Sequence, residues 1–254
     1  MKTSFDGKVA LVTGASSGIG RATAIAFGQE GARVVVAARR VREGEETAQM
    51  VRDEGGDAIF IKTDVSRALE VHSLVEQTVE RFGRLDYAFN NAGISGPSLS
   101  LIADLTEEDW DSVIDANLKS IWLSMKYEIP VMLGQGAGAI INMSSILGVV
   151  GTSLGTAAYV ASKHAIIGLT KAAALEYAKQ GLRINAVCPG FIQTALIEVA
   201  TNNPEISDAI VDAHPVGRIG KPEEVASAVI WLCSEGASFI TGQSLVIDGG
   251  YIAQ

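Results

Sequence analysis

Two cysteines and three histidines in 254 residues leave little with which to build a disulfide scaffold or a catalytic zinc site. Cys188 and Cys233 are expected to fill core space. His72, His164 and His214 are scattered without ligand spacing, so no metal is expected. Basic charge is also scarce. The 20 Lys and Arg stand against 29 Asp and Glu, a net charge of -9, which argues against a nucleic-acid or anionic-membrane surface. No apolar run reaches bilayer length, and the first eight residues lack the charged-then-apolar layout of a secretion signal. The expectation is a cytoplasmic protein without membrane or nucleic-acid partners. Internal repeats, low-complexity tracts and marks of a domain boundary are missing too. Apolar residues make up 48% of the chain, enough for a sizeable core, so 1–254 reads as one domain.

What is present is a strict alternation of apolar strand and helix. The stretches 9–12, 33–38, 58–62, 85–89, 139–143, 183–187 and 244–247 read as strands. Helices are expected over 21–29, 43–54, 70–82, 157–179 and 222–233, with a short one between 204 and 213. Another runs from Glu107 into the 125–133 region, with Asn117 in its interior and Pro130 marking a kink or end. This order predicts an α/β fold: a Rossmann-type, doubly wound parallel sheet of about seven strands, with helices on both faces. The segment at about 190–220 is long for an α/β connection and is expected to cover a substrate.

The turn after the first strand reads Thr13-Gly14-Ala15-Ser16-Ser17-Gly18-Ile19-Gly20. Strand, glycine-dense turn and helix opening form a layout in which amides and a helix N-terminus hold a phosphate. Gly14 and Gly18 let the backbone close on a pyrophosphate, and Gly20 lets the helix sit near its strand. A tight turn with no ligand is the alternative at this point. Tyr159 and Lys163, four apart on a predicted helix, share one face. An ammonium beside a phenol favours the phenolate, making Tyr159 a candidate proton donor or acceptor. Ser145, Asn90 and Asp64 end other strands, and in a parallel sheet those carboxyl ends lie along one ligand-binding edge.

In this ordered combination, TGASSGIG at 13–20, Asp64, NNAG at 90–93, Asn117, Ser145, YVASK at 159–163, and Pro189-Gly190 followed by Thr194, the chain resembles the short-chain dehydrogenase/reductase family in its classical branch. The resemblance runs from about Lys8 to Gly250. It implies a hydride-transferring enzyme in which Tyr159 is the acid/base and Ser145 hydrogen-bonds the substrate oxygen. Lys163 would hold the nicotinamide ribose and lower the Tyr159 pKa, and Asn117 would bind a water linking Lys163 to solvent. It further implies cofactor contacts from Gly14, Ser16, Ser17, Gly18, Ile19 and Gly20. Asp64 and Val65 would meet the adenine, and Asn90, Ala92 and Gly93 would line the nucleotide. Pro189, Gly190, Ile192 and Thr194 would serve the nicotinamide end, where Tyr159 and Lys163 also reach. Ser145 stands fourteen residues before Tyr159, one more than the family's habit. The extra residue is assigned to the 147–156 loop, with Ser145 keeping its role and Ser144 pointing the other way.

Where an acidic residue at the end of strand two would bind ribose hydroxyls and repel a 2′-phosphate, this chain has Ala38, then Arg39 and Arg40. Guanidinium forks without that carboxylate favour NADP(H). Arg39 is the first choice, a surface-charge role for Arg40 carries equal weight, and NAD(H) use stays open. Expected substrate-facing residues are Ser95, Gly96, Leu147, Leu154, Phe191 and the 195–214 segment, including Leu196, Ile197, Val211 and His214. They are mostly apolar and include no cation to clamp a carboxylate, so a neutral ketone, aldehyde or secondary alcohol fits best. One alternative is a 3-oxoacyl-thioester (acyl-carrier-protein) reductase; another, of a different class, is a non-catalytic dinucleotide-sensing or scaffold protein. The family resemblance implies a homotetramer or homodimer, for which Ala158, Ala165 and Leu169 would permit close helix contact.

Overall fold

A computed structural model of the chain describes residues 5–96, 100–195, 197 and 202–254. Seven strands form one sheet: β1 (Val9–Thr13), β2 (Arg33–Ala38), β3 (Asp57–Lys62), β4 (Tyr87–Asn90), β5 (Gly138–Met143), β6 (Leu182–Pro189) and β7 (Ser244–Ile247). Their spatial order is β3-β2-β1-β4-β5-β6-β7, and every pairing is parallel. Both faces are covered, which is why the inner strands read as unbroken apolar runs. Along β1, Ala10 and Val12 enter one core while Val9 and Leu11 enter the other.

The first core lies under α1 (Gly18–Gln29), α2 (Val41–Asp53) and the C-terminal helix Pro222–Cys233, through Phe27, Val51, Val225 and Val229. The second lies under α3 (Ala68–Phe82), α5 (Ser120–Gln135) and α6 (Ala157–Tyr177), through Leu74, Ile121, Met125 and Ile166. After β1 the chain steps outward through β2 to β3. It then returns over α3 to pair β4 on the other side of β1, with Val12 opposite Phe89. Chains leaving β1 and β4 diverge, and that divergence opens a crevice at their carboxyl ends.

The helix expected from Glu107 divides into three parts. Helix α4 (Glu107–Ile114) is capped by Thr106, whose hydroxyl accepts from Asp109 N–H at 3.1 Å. A π-helical turn, Asp115–Lys119, follows, and α5 then continues through Pro130 to Gln135. Buried Ile129 and Met132 hold the helix on either side of the proline, so it neither ends nor breaks there. The wider π turn carries Asn117 fully into the interior. Helix α7 (Pro204–Asp212) lies in the expected covering segment; Leu196, an expected substrate-facing residue, and residues 198–201 lie outside the described residues. Among the described residues, no helix is long and apolar enough to cross a membrane.

Candidate active site

The turn after β1 and residues 91–93 after β4 are built against each other. Asn91 and Ala92 donate their N–H groups to Thr13 Oγ1 at 3.0 and 3.2 Å, and the Asn91 amide donates to Thr13 O at 3.0 Å. Gly14 has φ +65°, and a Cβ there would stand 2.8 Å from Ala92 Cα. A Cβ on Gly20 would stand 2.5 Å from Gly14 O, so the helix approaches its strand as closely as the sequence predicts. Ser17 at the N-cap of α1 makes no side-chain cap, and no acidic residue occupies the first turn. Its leading amides therefore face the crevice without a competing carboxylate.

The crevice is a cavity of about 660 Å³. Gly14, Ser16, Ser17, Gly18 and Ile19 line one wall, and Arg39, Arg40, Asp64 and Val65 close one end. Ala92 and Gly93 form the floor. Ser145, Tyr159, Lys163, Pro189, Gly190, Ile192 and Thr194 stand at the other end. Its size, glycine cradle and open helix terminus fit a dinucleotide.

At that far end the residues expected to be catalytic, Ser145, Tyr159 and Lys163, are brought together. Ser145 and Tyr159 line the same end of the cavity and the Ser145 side chain acts on the Tyr159 phenol, so the extra loop residue leaves them together. Ser145 Oγ also accepts from Leu147 N–H at 3.1 Å, which leaves its proton free to donate. Ser144 points the other way and donates to Lys163 O at 2.8 Å, fastening β5 to α6. Lys163 is buried, donates from Nζ to Met143 O at 2.9 Å, and lies 5.4 Å from the centre of the Tyr159 ring.

The electrostatics differ from expectation. Burial pushes the Tyr159 phenol above its ordinary value, opposed only by the Ser145 side chain. Burial also lowers the Lys163 ammonium to about 8. The lysine lowers nothing on the tyrosine here, because its Nζ is turned to a carbonyl and its own charge is disfavoured. Asp64 behaves oppositely. Burial works against it, yet the Ser66 hydroxyl and amide, with Arg39 and Arg67 nearby, hold it below the usual carboxylate range.

Several expected residues lie elsewhere. Asn90 does not line the cavity; its side chain is buried and donates to Glu128 Oε2 at 3.0 Å, while Asn91 takes the cavity wall. Adjacent strand residues face opposite ways, and sequence could not say which asparagine faces in. The Asn117 amide donates to Ile94 O at 2.9 Å and Ser162 Oγ at 3.2 Å, and its oxygen accepts from Ile94 N–H at 2.8 Å. One N–H is spent on the loop after β4 and the other on Ser162 of α6, leaving the side chain only one lone pair for a water. Phe191 and His214 face a separate hollow of about 200 Å³, where their rings pack with Tyr251. Arg40 does more than add surface charge: it donates to Ser17 Oγ at 2.7 Å and to Ser16 Oγ at 2.9 Å. Ile94, Ser112, Asp115 and Ala116 also line the cavity. The spacing of 112, 115 and 116 along one helical face was the available signal.

Residues 14–252 match the protein family described as Enoyl-(Acyl carrier protein) reductase. The chain is 46% identical to the cyclohexanol dehydrogenase of Acinetobacter sp. (strain SE19), with 100% of this chain and 98% of that protein covered. It is 38% identical to the 3-oxoacyl-[acyl-carrier-protein] reductase of Thermotoga maritima, covering 98% of this chain and 99% of that one. Among solved structures, one from Agrobacterium tumefaciens, assigned as a 2-deoxy-d-gluconate 3-dehydrogenase with NADP bound, superposes with a TM-score of 0.91. It is 34% identical, over 99% of this chain and 98% of that one.

Proposed function

The chain belongs to the short-chain dehydrogenase/reductase family of oxidoreductases acting on CH–OH and C=O groups, and from that premise we propose that it is an NADP(H)-preferring enzyme interconverting a neutral ketone and its secondary alcohol. The observation that carries this reading is that Ser145, Tyr159 and Lys163 gather in one cavity, at the end opposite Arg39 and Arg40.

A bound nicotinamide dinucleotide supplies hydride to the carbonyl carbon in reduction and takes it back in oxidation. Gly14, Ser16, Ser17, Gly18 and Ile19 would hold its pyrophosphate, Asp64 and Val65 its adenine, and Gly190, Ile192 and Thr194 its nicotinamide end. Gly20 keeps the turn shut behind it. The Tyr159 phenol, kept neutral by burial, donates its proton to the carbonyl oxygen. Ser145 donates its free hydrogen to the same oxygen and steadies the charge that develops there. In the alcohol direction Tyr159 must take a proton, and the Lys163 ammonium, 5.4 Å from the centre of its ring, would favour the phenolate once its Nζ turns from Met143 O towards the phenol. Asn117 acts by holding Ile94, and through it the loop beside Gly93.

The preference for NADP(H) is supported by Arg40, which the Ser16 and Ser17 hydroxyls steer to the glycine turn, and by Arg39. Neither meets a carboxylate at the end of β2. A neutral substrate is supported by Ile94, Ala195 and Ile197 along the cavity. The acyl-carrier-protein thioester reading is kept as the runner-up because of the Thermotoga relative. Association into a homodimer or homotetramer belongs to the same proposal, supported by Trp122 on α5 and Leu175 on α6, both exposed.

The test follows NADPH or NADH consumption by the purified protein with cyclic ketones and with 3-oxoacyl thioesters, wild type beside Tyr159→Phe. NADPH-dependent turnover of ketones, lost in the variant, is expected. Turnover confined to carrier-linked thioesters would install the runner-up, and tight dinucleotide binding with no turnover would favour a sensor.

A further inference from the structure

Behind the cavity floor lies a buried polar cluster that the reaction does not use. Glu128, on α5, is fully buried, and among the described residues it has no ion-pair partner. Asn90 donates one amide hydrogen to Glu128 Oε2 at 3.0 Å and the other to Asn142 Oδ1 at 3.2 Å. Asn142 in turn donates to Thr170 Oγ1 at 3.0 Å and towards Met125 Sδ at 3.4 Å. This run of donors sets the orientation of Asn90: its oxygen must face the remaining side. Two buried acceptors in the cluster then lack a donor, Asn90 Oδ1 and Glu128 Oε1. They belong to the two residues already joined by one hydrogen bond, and each unsatisfied acceptor is costly in an apolar interior.

One proton removes both deficits. We propose that Glu128 is a proton-bearing positioning residue, whose Oε1–H is donated to Asn90 Oδ1 and closes a carboxylic acid–carboxamide ring with the observed Asn90 Nδ2–H to Oε2 bond. Burial supports this by pushing the Glu128 carboxyl up to about 7, with only the existing Asn90 bond opposing. A hydrogen bond made by the neutral form raises it further. No charge contributes to that shift. The charged groups on the surrounding elements are engaged elsewhere. Lys163 on α6 donates to Met143 O, His72 on α3 faces Glu76, and Lys126 on α5 lies over the Trp122 and Tyr127 rings. Asp86, before β4, is held by Lys8 and Arg84.

The ring fixes the parts that make the cavity. Asn90 immediately precedes Asn91 and Ala92, which hold the glycine turn through Thr13. Asn142 lies three residues before Ser145, and Thr170 sits on the helix that carries Tyr159 and Lys163. Ionising Glu128 deletes a donor, leaves a charge without a partner, and loosens the end of β4. Folded-state pKa lies above the ordinary carboxyl value, so the stability the proton confers is present at acid pH and is lost as pH rises from about 4.5 to above 7. The inference rests on the proposed function only for its dinucleotide readout.

The full-length wild type is compared with Glu128→Gln, whose amide supplies a hydrogen to Asn90 Oδ1 at every pH. Three measurements are made: the infrared band of a protonated carboxylic acid at neutral pH, the thermal midpoint across pH, and NADPH affinity by fluorescence. The wild type is expected to show a carboxylic acid band that the variant lacks. Between about pH 3 and pH 9 its folding equilibrium should fall relative to the variant, by up to roughly 300-fold over the whole titration. Its NADPH affinity should weaken about fivefold over the same range relative to the variant. Absence of the band, or a midpoint difference that does not change with pH, overturns the protonated ring. A pH-dependent midpoint with parallel NADPH affinities overturns the positioning role. If neither protein binds NADPH, the dinucleotide reading fails, while the band and the midpoint still decide the state of Glu128.

Discussion

Replacing Lys163 by methionine should abolish turnover and yet make the protein more stable. The side chain is 3% exposed, and burial lowers its ammonium from 10.5 to about 8. That difference corresponds to about 3 kcal/mol of stability forgone while the amine is charged in the folded state. Methionine fills a similar volume without that cost. It also gives up the Nζ–H bond to Met143 O, which offsets about 1 to 2 kcal/mol. The net gain is about 1 to 2 kcal/mol, which for a chain of this length raises the thermal midpoint by roughly 5 °C. The sign reverses with pH in a defined window. A lysine whose folded pKa is depressed destabilises fully below about 8, and the penalty shrinks to nothing as pH approaches 10.5. Calorimetry of both proteins at about pH 7 and again near pH 10 measures the effect, with ketone reduction expected to fall by about 100-fold or more. A variant less stable than wild type at neutral pH, or a midpoint difference independent of pH, would refute the account of Lys163 as a strained buried cation.

Arg40→Ala should weaken NADPH binding by about 10- to 100-fold, the range for losing a charge-assisted contact, and change NADH binding less than about twofold. Isothermal titration with both dinucleotides checks it, and unchanged NADPH affinity would move the discrimination to Arg39 alone. Gly20→Ala puts a methyl 2.5 Å from Gly14 O and 2.6 Å from Asn91 Nδ2. It should cost about 1 to 3 kcal/mol in urea unfolding and loosen dinucleotide binding, because the contact is with backbone that cannot step aside.

The match between expected and observed elements is closest where the signal is local. Strand runs such as 33–38 and 139–143 are apolar apart from Arg33 and Asn142 because both faces of the sheet are covered, and the helices between them keep their periodicity. Glycines at 14 and 20 do what their positions require, and Tyr159 and Lys163 share a helix face by spacing alone. The long helix keeps Asn117 in its interior as expected, but it carries a π turn there that spacing does not show, and it does not end at Pro130. A π turn shifts one residue inward without altering composition, and a proline is tolerated where flanking side chains are already pinned in a core.

Sequence by itself determined the order of strands and helices, the site of the glycine turn and the edge on which the polar residues gather, since these follow from side-chain periodicity and chain direction. Tertiary structure alone decided that Asn91 and not Asn90 faces the cavity, that Arg40 is drawn to two serine hydroxyls, and that Phe191 and His214 turn to another hollow. It also decided that Tyr159 is raised, Lys163 lowered and Glu128 raised. Those outcomes depend on which groups distant in the chain meet, and on how much water their meeting excludes, and neither quantity is written in residue spacing.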